Sequence, residues 1–303
     1  MSRHLVYIPF TGLGLYNGFR GNQWLRNRIK VFEQFVVPSL QAQTTQNFTI
    51  WVSWRRKERS NKQVQSLYHR LVNIFGPLRV VFTYNGVCFW DDKYEDAIAH
   101  ERLITSLHNT IPELVDYIGD VHEVLMTIQP SDDCYYEGAF EQIQRYLKDP
   151  ELDAVGYKHG YITDYKTKEV REYNPKTNPP FFTIKFKKET FIDPFQHMKF
   201  TGPYESHEYV GDHLRYKQID KRGFLVGTHG ENISTYFNIP YAGTATELQG
   251  FDWYAFTPPI AIRYNLRKRI MRSLPHKMQR KLRYWFGELL LNKLYKWKSS
   301  FSL

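Results

Sequence analysis

Two adjacent aspartates, Asp132 and Asp133, close the stretch "VLMTIQPSDD" of residues 124–133. Neighbouring carboxylates repel unless a cation lies between or beside them, and hard divalent ions take oxygen ligands of this kind. A manganese or magnesium ion held there would in turn hold a diphosphate. Ser131 and the aspartates are also residue types that cap a helix N-terminus, and a helix beginning near Glu137 would use them that way. Spacing alone leaves both roles open.

The elements around the aspartates give them a place. The apolar run "EVLMTI" (123–128) reads as a strand, as do "HLVYIPF" (4–10), "NFTIWVSW" (47–54), "LRVVFTY" (78–84) and "DAVGYKH" (153–159). Helical spacing links Trp24, Ile29, Phe32 and Val36 in a segment expected to stop near Pro38. It links Val64, Leu67, Leu71 and Ile74 in a second, ended by Gly76 and Pro77, and Ile98, Leu103 and Leu107 in a third. Strands alternating with helices predict βαβ units and a mostly parallel sheet. Ligands of such sheets bind beyond the carboxyl ends of the strands, and "QPSDD" follows a strand directly, with Pro130 ending the ladder. Beyond about residue 160 the pattern changes to a hairpin around Lys166 to Lys168, a loop "NPKTNPP", and strands "FFTIKF" and "GFLVGT". This predicts an antiparallel extension with long loops.

Composition narrows the class. The chain has 303 residues, 42% of them hydrophobic, enough for a large core. Its formal charge of +10 is uneven: residues 263–303 hold twelve Lys and Arg against one acid, Glu288, which leaves the remainder near neutral. Only Cys88 and Cys134 occur, too few for a disulfide framework or a structural zinc site, and free thiols suit a reducing cytosol. The N-terminus lacks the pattern of a signal peptide, and no apolar stretch has the roughly 18 residues of a membrane span. A cytoplasmic location is therefore expected.

In the basic tail Met278, Leu282, Trp285, Phe286, Leu289 and Leu290 form an apolar stripe at helical spacing, flanked by Arg280, Lys281 and Arg283. Such a helix could lie on an anionic membrane face or pack on the body. Its aromatics lie on the stripe rather than between the basic residues, which speaks against nucleic-acid binding. Near the first strand, "IPFTGLGLYNGFRGN" carries Gly12, Gly14, Gly18 and Gly21, a loop that a nucleotide could approach closely. It is not a G-x-G-x-x-G fingerprint, since Asn17 stands at the third glycine, and no P-loop motif occurs.

The stretch "WLRNRIKVFEQFVVPSLQAQTTQNFTIWVSW" resembles the opening of GT-A type bacterial glycosyltransferases, especially the rhamnosyltransferase family. Arg28, Phe32, Glu33, Pro38, Ser39, Leu40, Gln43, Thr44, Phe48 and Trp51 carry the likeness, which resumes at "TIQPSDD" and "RGFLVGTHGENIST". The resemblance implies a Rossmann-like GT-A fold and transfer of a sugar from a nucleotide-sugar donor. In that family a D-x-D motif meets the donor. Its first position falls here on Pro130, a departure, so Asp132 is the implied metal ligand with Asp133 second. His229 stands where a histidine completes the metal site. Glu208, with Asp212 and Glu205, stands where the acceptor-side base is found; such a base must reach the acceptor hydroxyl. Arg55 and Arg56, at the end of the second strand, could contact the donor or be plain surface charge.

The expectation is thus an α/β chain with a GT-A-like domain at 1–262 and a basic amphipathic helical tail at 263–303. Residues 1–135 would form its nucleotide-sugar half and 136–262 its acceptor half. Its activity would be sugar transfer to a glycan or lipid-linked acceptor, assisted by Mn2+ or Mg2+. The alternative, supported by Pro130, is a carbohydrate- or membrane-binding module that keeps the fold without the chemistry.

Overall fold

A computed structural model describes residues 1–11, 22–86, 96–201, 207, 210–230, 232, 237 and 242–262, with the side chains of 96–100 excepted. The chain divides into two compact units, Met1–Ala261 and Ile262–Leu303, and the described residues belong to the first save for Ile262. The glycine loop from Gly12 to Gly21, Cys88, the Ile98 side chain, Glu205, Glu208 and the basic tail lie outside the described residues.

The first half alternates as the hydrophobic pattern predicts. Strand β1 (Ser2–Pro9) leads to α1 (Asn22–Val31), a π-helical turn (Phe32–Val36) and α2 (Val37–Gln41). Then come β2 (Thr49–Ser53), α3 (Lys62–Phe75), β3 (Val80–Thr83), α4 (Asp96–Ile118) and β4 (Glu123–Ile128). The inner strands are largely apolar and buried because helices cover both faces of a parallel sheet, and every residue of β2 is buried. Helix α4 lays Leu103, Leu107, Ile111, Leu114 and Ile118 against Leu5, Tyr7, Trp51 and Met126.

Two helix boundaries differ from the sequence reading. The first helix does not stop at Pro38 but runs on to Gln41. The Val37 N–H reaches back five residues to the Phe32 carbonyl, and this wider turn carries the chain past a residue that has no N–H to give. In α3, Phe75 rather than Ile74 closes the buried stripe, and Ile74 is exposed. Asn61 caps the start of α3 by accepting the Gln63 N–H at 3.0 Å, and Gly76, at φ 91°, ends it.

The second half adds β5 (Cys134–Tyr135), α5 (Ala139–Tyr146), β6 (Ala154–Asp164), β7 (Val170–Tyr173) and β8 (Phe182–Lys187). It closes with α6 (Lys188–Ile192), α7 (Pro194–Thr201), α8 (Val210–His213), β9 (Tyr216–Thr228), β10 (Ala242–Ala245) and α9 (Asp252–Ala255). Among the described residues these strands form one sheet in the order β10-β7-β6-β8-β4-β1-β2-β3, with β9 on β6 and β5 on β9. The block β3-β2-β1-β4 is parallel, and β8, β6, β7 and β10 continue it antiparallel, as the change of pattern after residue 160 predicts. Strand β9 runs parallel to β6 from Ala154↔Tyr216 to Asp164↔Thr228. Consequently β1, β2, β4, β6 and β9 all end at one edge of the sheet.

Candidate functional site

The acidic motif is delivered to that edge. The Gln129 N–H makes the last ladder bond, to the Tyr7 carbonyl at 2.9 Å, and Pro130 then turns the chain. Helix α5 begins at Ala139 after Gly138 with no side-chain cap, so the capping role open to Ser131, Asp132 and Asp133 is not taken up. Instead β5 pairs antiparallel with β9, Cys134↔Leu225 and Tyr135↔Phe224, which brings the end of β9 alongside the aspartates.

Asp132 is buried and its Oδ2 is shared. It forms an ion pair with Nη1 of Arg28, lies 3.1 Å from Nε2 of His229, and accepts from Nδ2 of Asn232 at 3.1 Å. Burial by itself would raise this carboxyl; the Arg28 charge and then His229 outweigh it and hold Asp132 below the ordinary carboxylate range. Asn232 is itself locked, donating to the Gly227 carbonyl at 2.7 Å and accepting from the His229 N–H at 2.9 Å.

Asp133 faces the other way. Its Oδ1 accepts the Gly227 N–H at 2.9 Å, and burial followed by the neighbouring Asp132 charge raises its pKa well above the usual value. The two carboxyls are thus driven in opposite directions. Around them Tyr165 donates its hydroxyl to the Asp132 carbonyl at 2.9 Å, and Gln129 its amide to the Asp133 carbonyl at 2.7 Å. Tyr165 is sandwiched: its ring stacks on Phe35 at 3.6 Å, and a Cβ added to Gly227 would lie 2.2 Å from it. The bare backbone of Gly227 is what lets that ring reach the motif. Ser131 Oγ and Gln129 Oε1 are buried without a partner, as groups awaiting a ligand would be.

Residues known from the sequence only as points of likeness gain roles. Gln43 donates to the Tyr136 carbonyl at 2.8 Å and accepts from the Phe140 N–H at 3.1 Å, while the Thr44 N–H bonds the Glu137 carbonyl at 2.8 Å. The "PSLQAQT" stretch therefore cradles the chain that leaves the acidic motif. Arg28 was legible too: it lies one turn from Trp24 and one from Phe32, a charge on a buried stripe, which is costly unless paired. Asn232, three residues past His229, gave no sequence signal apart from its place in "THGEN".

Of the residues predicted for the site, Asp132 and His229 come together, and Asp133 adjoins them with its carboxyl turned toward Gly227. Asp212 does not join them. It precedes β9 and His229 follows it, so a strand of 13 residues, roughly 40 Å if extended, separates the two. Asp212 is exposed and stands at the opposite end of the sheet from Asp132, out of reach of the same reacting atoms. Arg55 is half-buried at the end of β2, its N–H donating to Thr11 Oγ1 at 3.1 Å, and Arg56 is exposed. Nor do the predicted metal ligands assemble: no group of three His, Cys, Asp or Glu side chains able to hold an ion occurs among the described residues, and Arg28 takes the Asp132 oxygen.

A second cluster at this edge escaped the sequence reading. Glu58, in a 3-10 turn after β2, is buried with the Thr11 hydroxyl beside its carboxylate, and Ser53 Oγ and Trp54 Nε1, four or five residues earlier, are buried and unpartnered. Burial raises the Glu58 pKa against the opposing charges of Lys57 and Arg55.

Comparison with known proteins gives one family match. Residues 19–75 fit the model of a family described as Putative rhamnosyl transferase; this covers the likeness at residues 24–54, while "TIQPSDD" and "RGFLVGTHGENIST" lie outside the match. No curated protein matches the sequence. Among solved structures, S. aureus TarS 1–349 is 12% identical with a TM-score of 0.42, over 74% of this chain and 60% of that one. The same protein in complex with UDP-GlcNAc gives 12%, 0.41, and 77% and 61%. A 4-diphosphocytidyl-2C-methyl-D-erythritol synthase gives 10%, 0.36, and 73% and 90%. This chain thus spans less than two thirds of the TarS chains.

Proposed function

We propose that this chain is a nucleotide-sugar-dependent glycosyltransferase, passing a sugar from its donor to a glycan or lipid-linked acceptor. One observation carries the reading: the helix inside the family-matched segment supplies Arg28 to Asp132, so the matched segment and the acidic motif form a single site at the ligand edge of the sheet. The donor's diphosphate would lie there, and orphaned Ser131 and Gln129 would complete their hydrogen bonds on it. Arginine suits such a ligand because its guanidinium offers paired donors to phosphate oxygens. The sequence reading put Mn2+ or Mg2+ on Asp132, Asp133 and His229; the described arrangement does not fit that ion.

Transfer requires a base at the acceptor hydroxyl. The sequence reading offers Glu208 and Glu205 for that base, and both lie outside the described residues. Residues 263–303 would hold the enzyme on the anionic inner face of a membrane, where liposome sedimentation with and without the tail tests the contact. Among the described residues no helix is long and apolar enough to cross a membrane.

The test is a panel of nucleotide sugars assayed for release of free nucleotide, using the full chain and Asp132→Asn. Turnover should fall by about 100-fold or more in the variant while its circular dichroism stays native. Equal turnover by the two proteins would sink the reading. The alternative of a non-catalytic binding module is favoured by the absence of an acceptor-side acid beside Asp132 among the described residues; it predicts nucleotide or glycan binding with no turnover on any donor.

A further inference from the structure

We propose that the cation serving the acidic motif is the Arg28 guanidinium itself, so that the chain takes its nucleotide donor without a divalent ion. The donor half rests on the glycosyltransferase reading; the metal half does not.

Three features carry it. Asp132 Oδ2 already meets Arg28, His229 and Asn232. To enter, an ion must displace the buried Arg28 guanidinium from this oxygen, and breaking a buried charge pair is strongly unfavourable. The second carboxyl is directed elsewhere, its Oδ1 taken by the Gly227 N–H. Asn232, finally, presents its NH2 to Asp132 and keeps its carbonyl oxygen on the backbone N–H groups of His229 and Gly230. That orientation completes a carboxylate already paired with a cation and offers a metal no oxygen. The cluster is built around a fixed organic cation.

The experiment uses the full chain, stripped with EDTA. Mn2+ is first titrated alone and its free-ion signal followed by electron paramagnetic resonance. The wild type should leave the signal undiminished; stoichiometric uptake that vanishes in Asp132→Asn overturns the proposal. Calorimetry with UDP, dTDP and GDP then compares EDTA with MnCl2, corrected for chelation by the nucleotide. Affinities should agree within about twofold, whereas tightening by tenfold or more, about 1.4 kcal/mol, overturns the proposal. If no nucleotide binds in either buffer, the glycosyltransferase reading fails while the resonance titration still decides the metal. Arg28→Ala, which leaves Asp132 and His229 facing an open space, should acquire Mn2+ binding that the wild type lacks. The two wild-type titrations stand whether or not that variant folds.

Discussion

Nη1 of Arg28 lies 3.1 Å from Nε2 of His229, across 201 residues of sequence, and Asp132 Oδ2 sits within reach of both. A single imidazole nitrogen cannot accept from the guanidinium and donate to the carboxylate at once, so the charge pair, not the histidine, is the fixed part of the cluster. Arg28→Met should cost about 3–5 kcal/mol because it removes the cation from beside a buried carboxylate, and Asp132→Asn a comparable amount because it removes the anion from beside a buried guanidinium. The double variant should be less destabilised than the sum of the two. Urea unfolding of the four proteins checks this, and strict additivity would show that the pair is not a coupled unit.

Asp133 makes the opposite prediction. Its folded pKa is raised above the unfolded value near 3.8 by burial and by the Asp132 charge. The folded form therefore keeps a proton that the unfolded chain gives up, and stability falls as pH rises from about 4 toward the raised value. Asp133→Asn keeps an oxygen for the Gly227 N–H and has no charge to bury. Its melting temperature should exceed the wild type's at pH 8 by more than at pH 5. A pH-independent difference would mean that Asp133 is ionised in the fold.

How far the sequence reveals this protein depends on the range of the interactions. Alternating strands and helices were legible because burial on both faces leaves an apolar run such as Thr49–Ser53, a local signal. The delivery of Asp132 to the sheet edge was legible for the same reason. What sequence spacing misjudged was set by contacts far along the chain. Pro38 looked like a stop until the π turn before it absorbed the strain. Asp212 is near His229 in sequence order but lies beyond the other end of β9, because that strand is twice the usual length and carries the chain across the sheet. The Arg28 role needed a partner 104 positions away, although an arginine on a buried stripe announces that some partner exists.

Glu58 supplies a further prediction. Burial pushes the Glu58 carboxyl up in pKa, and with Ser53 Oγ and Trp54 Nε1 buried and unpartnered in the same segment, such polar groups lower stability unless a ligand completes them. Glu58→Leu removes the polar atoms at similar size and should raise the melting temperature of the free protein. On the glycosyltransferase reading these atoms meet the nucleoside, so the rise in melting temperature produced by nucleotide should be smaller in the variant. An undiminished ligand-induced rise, measured by scanning fluorimetry, would remove Glu58 from the donor site.

Gly227 tests whether the motif is positioned through packing. A methyl there meets the Tyr165 ring at 2.2 Å, and Tyr165 is stacked on Phe35 on its other face, so the ring has nowhere to retreat without leaving the Asp132 carbonyl. Gly227→Ala should cost about 1–3 kcal/mol, the usual range for overpacking a filled core. Tyr165→Phe keeps the stack and loses only the hydroxyl, so it should cost about 1 kcal/mol or somewhat more, the range for a buried hydrogen bond. If the ring positions the motif, Gly227→Ala should weaken nucleotide binding more than Tyr165→Phe does, even when both are assayed well below their melting temperatures. Equal affinities in the two variants would assign the ring to stability alone and leave the placing of Asp132 to Arg28, His229 and Asn232.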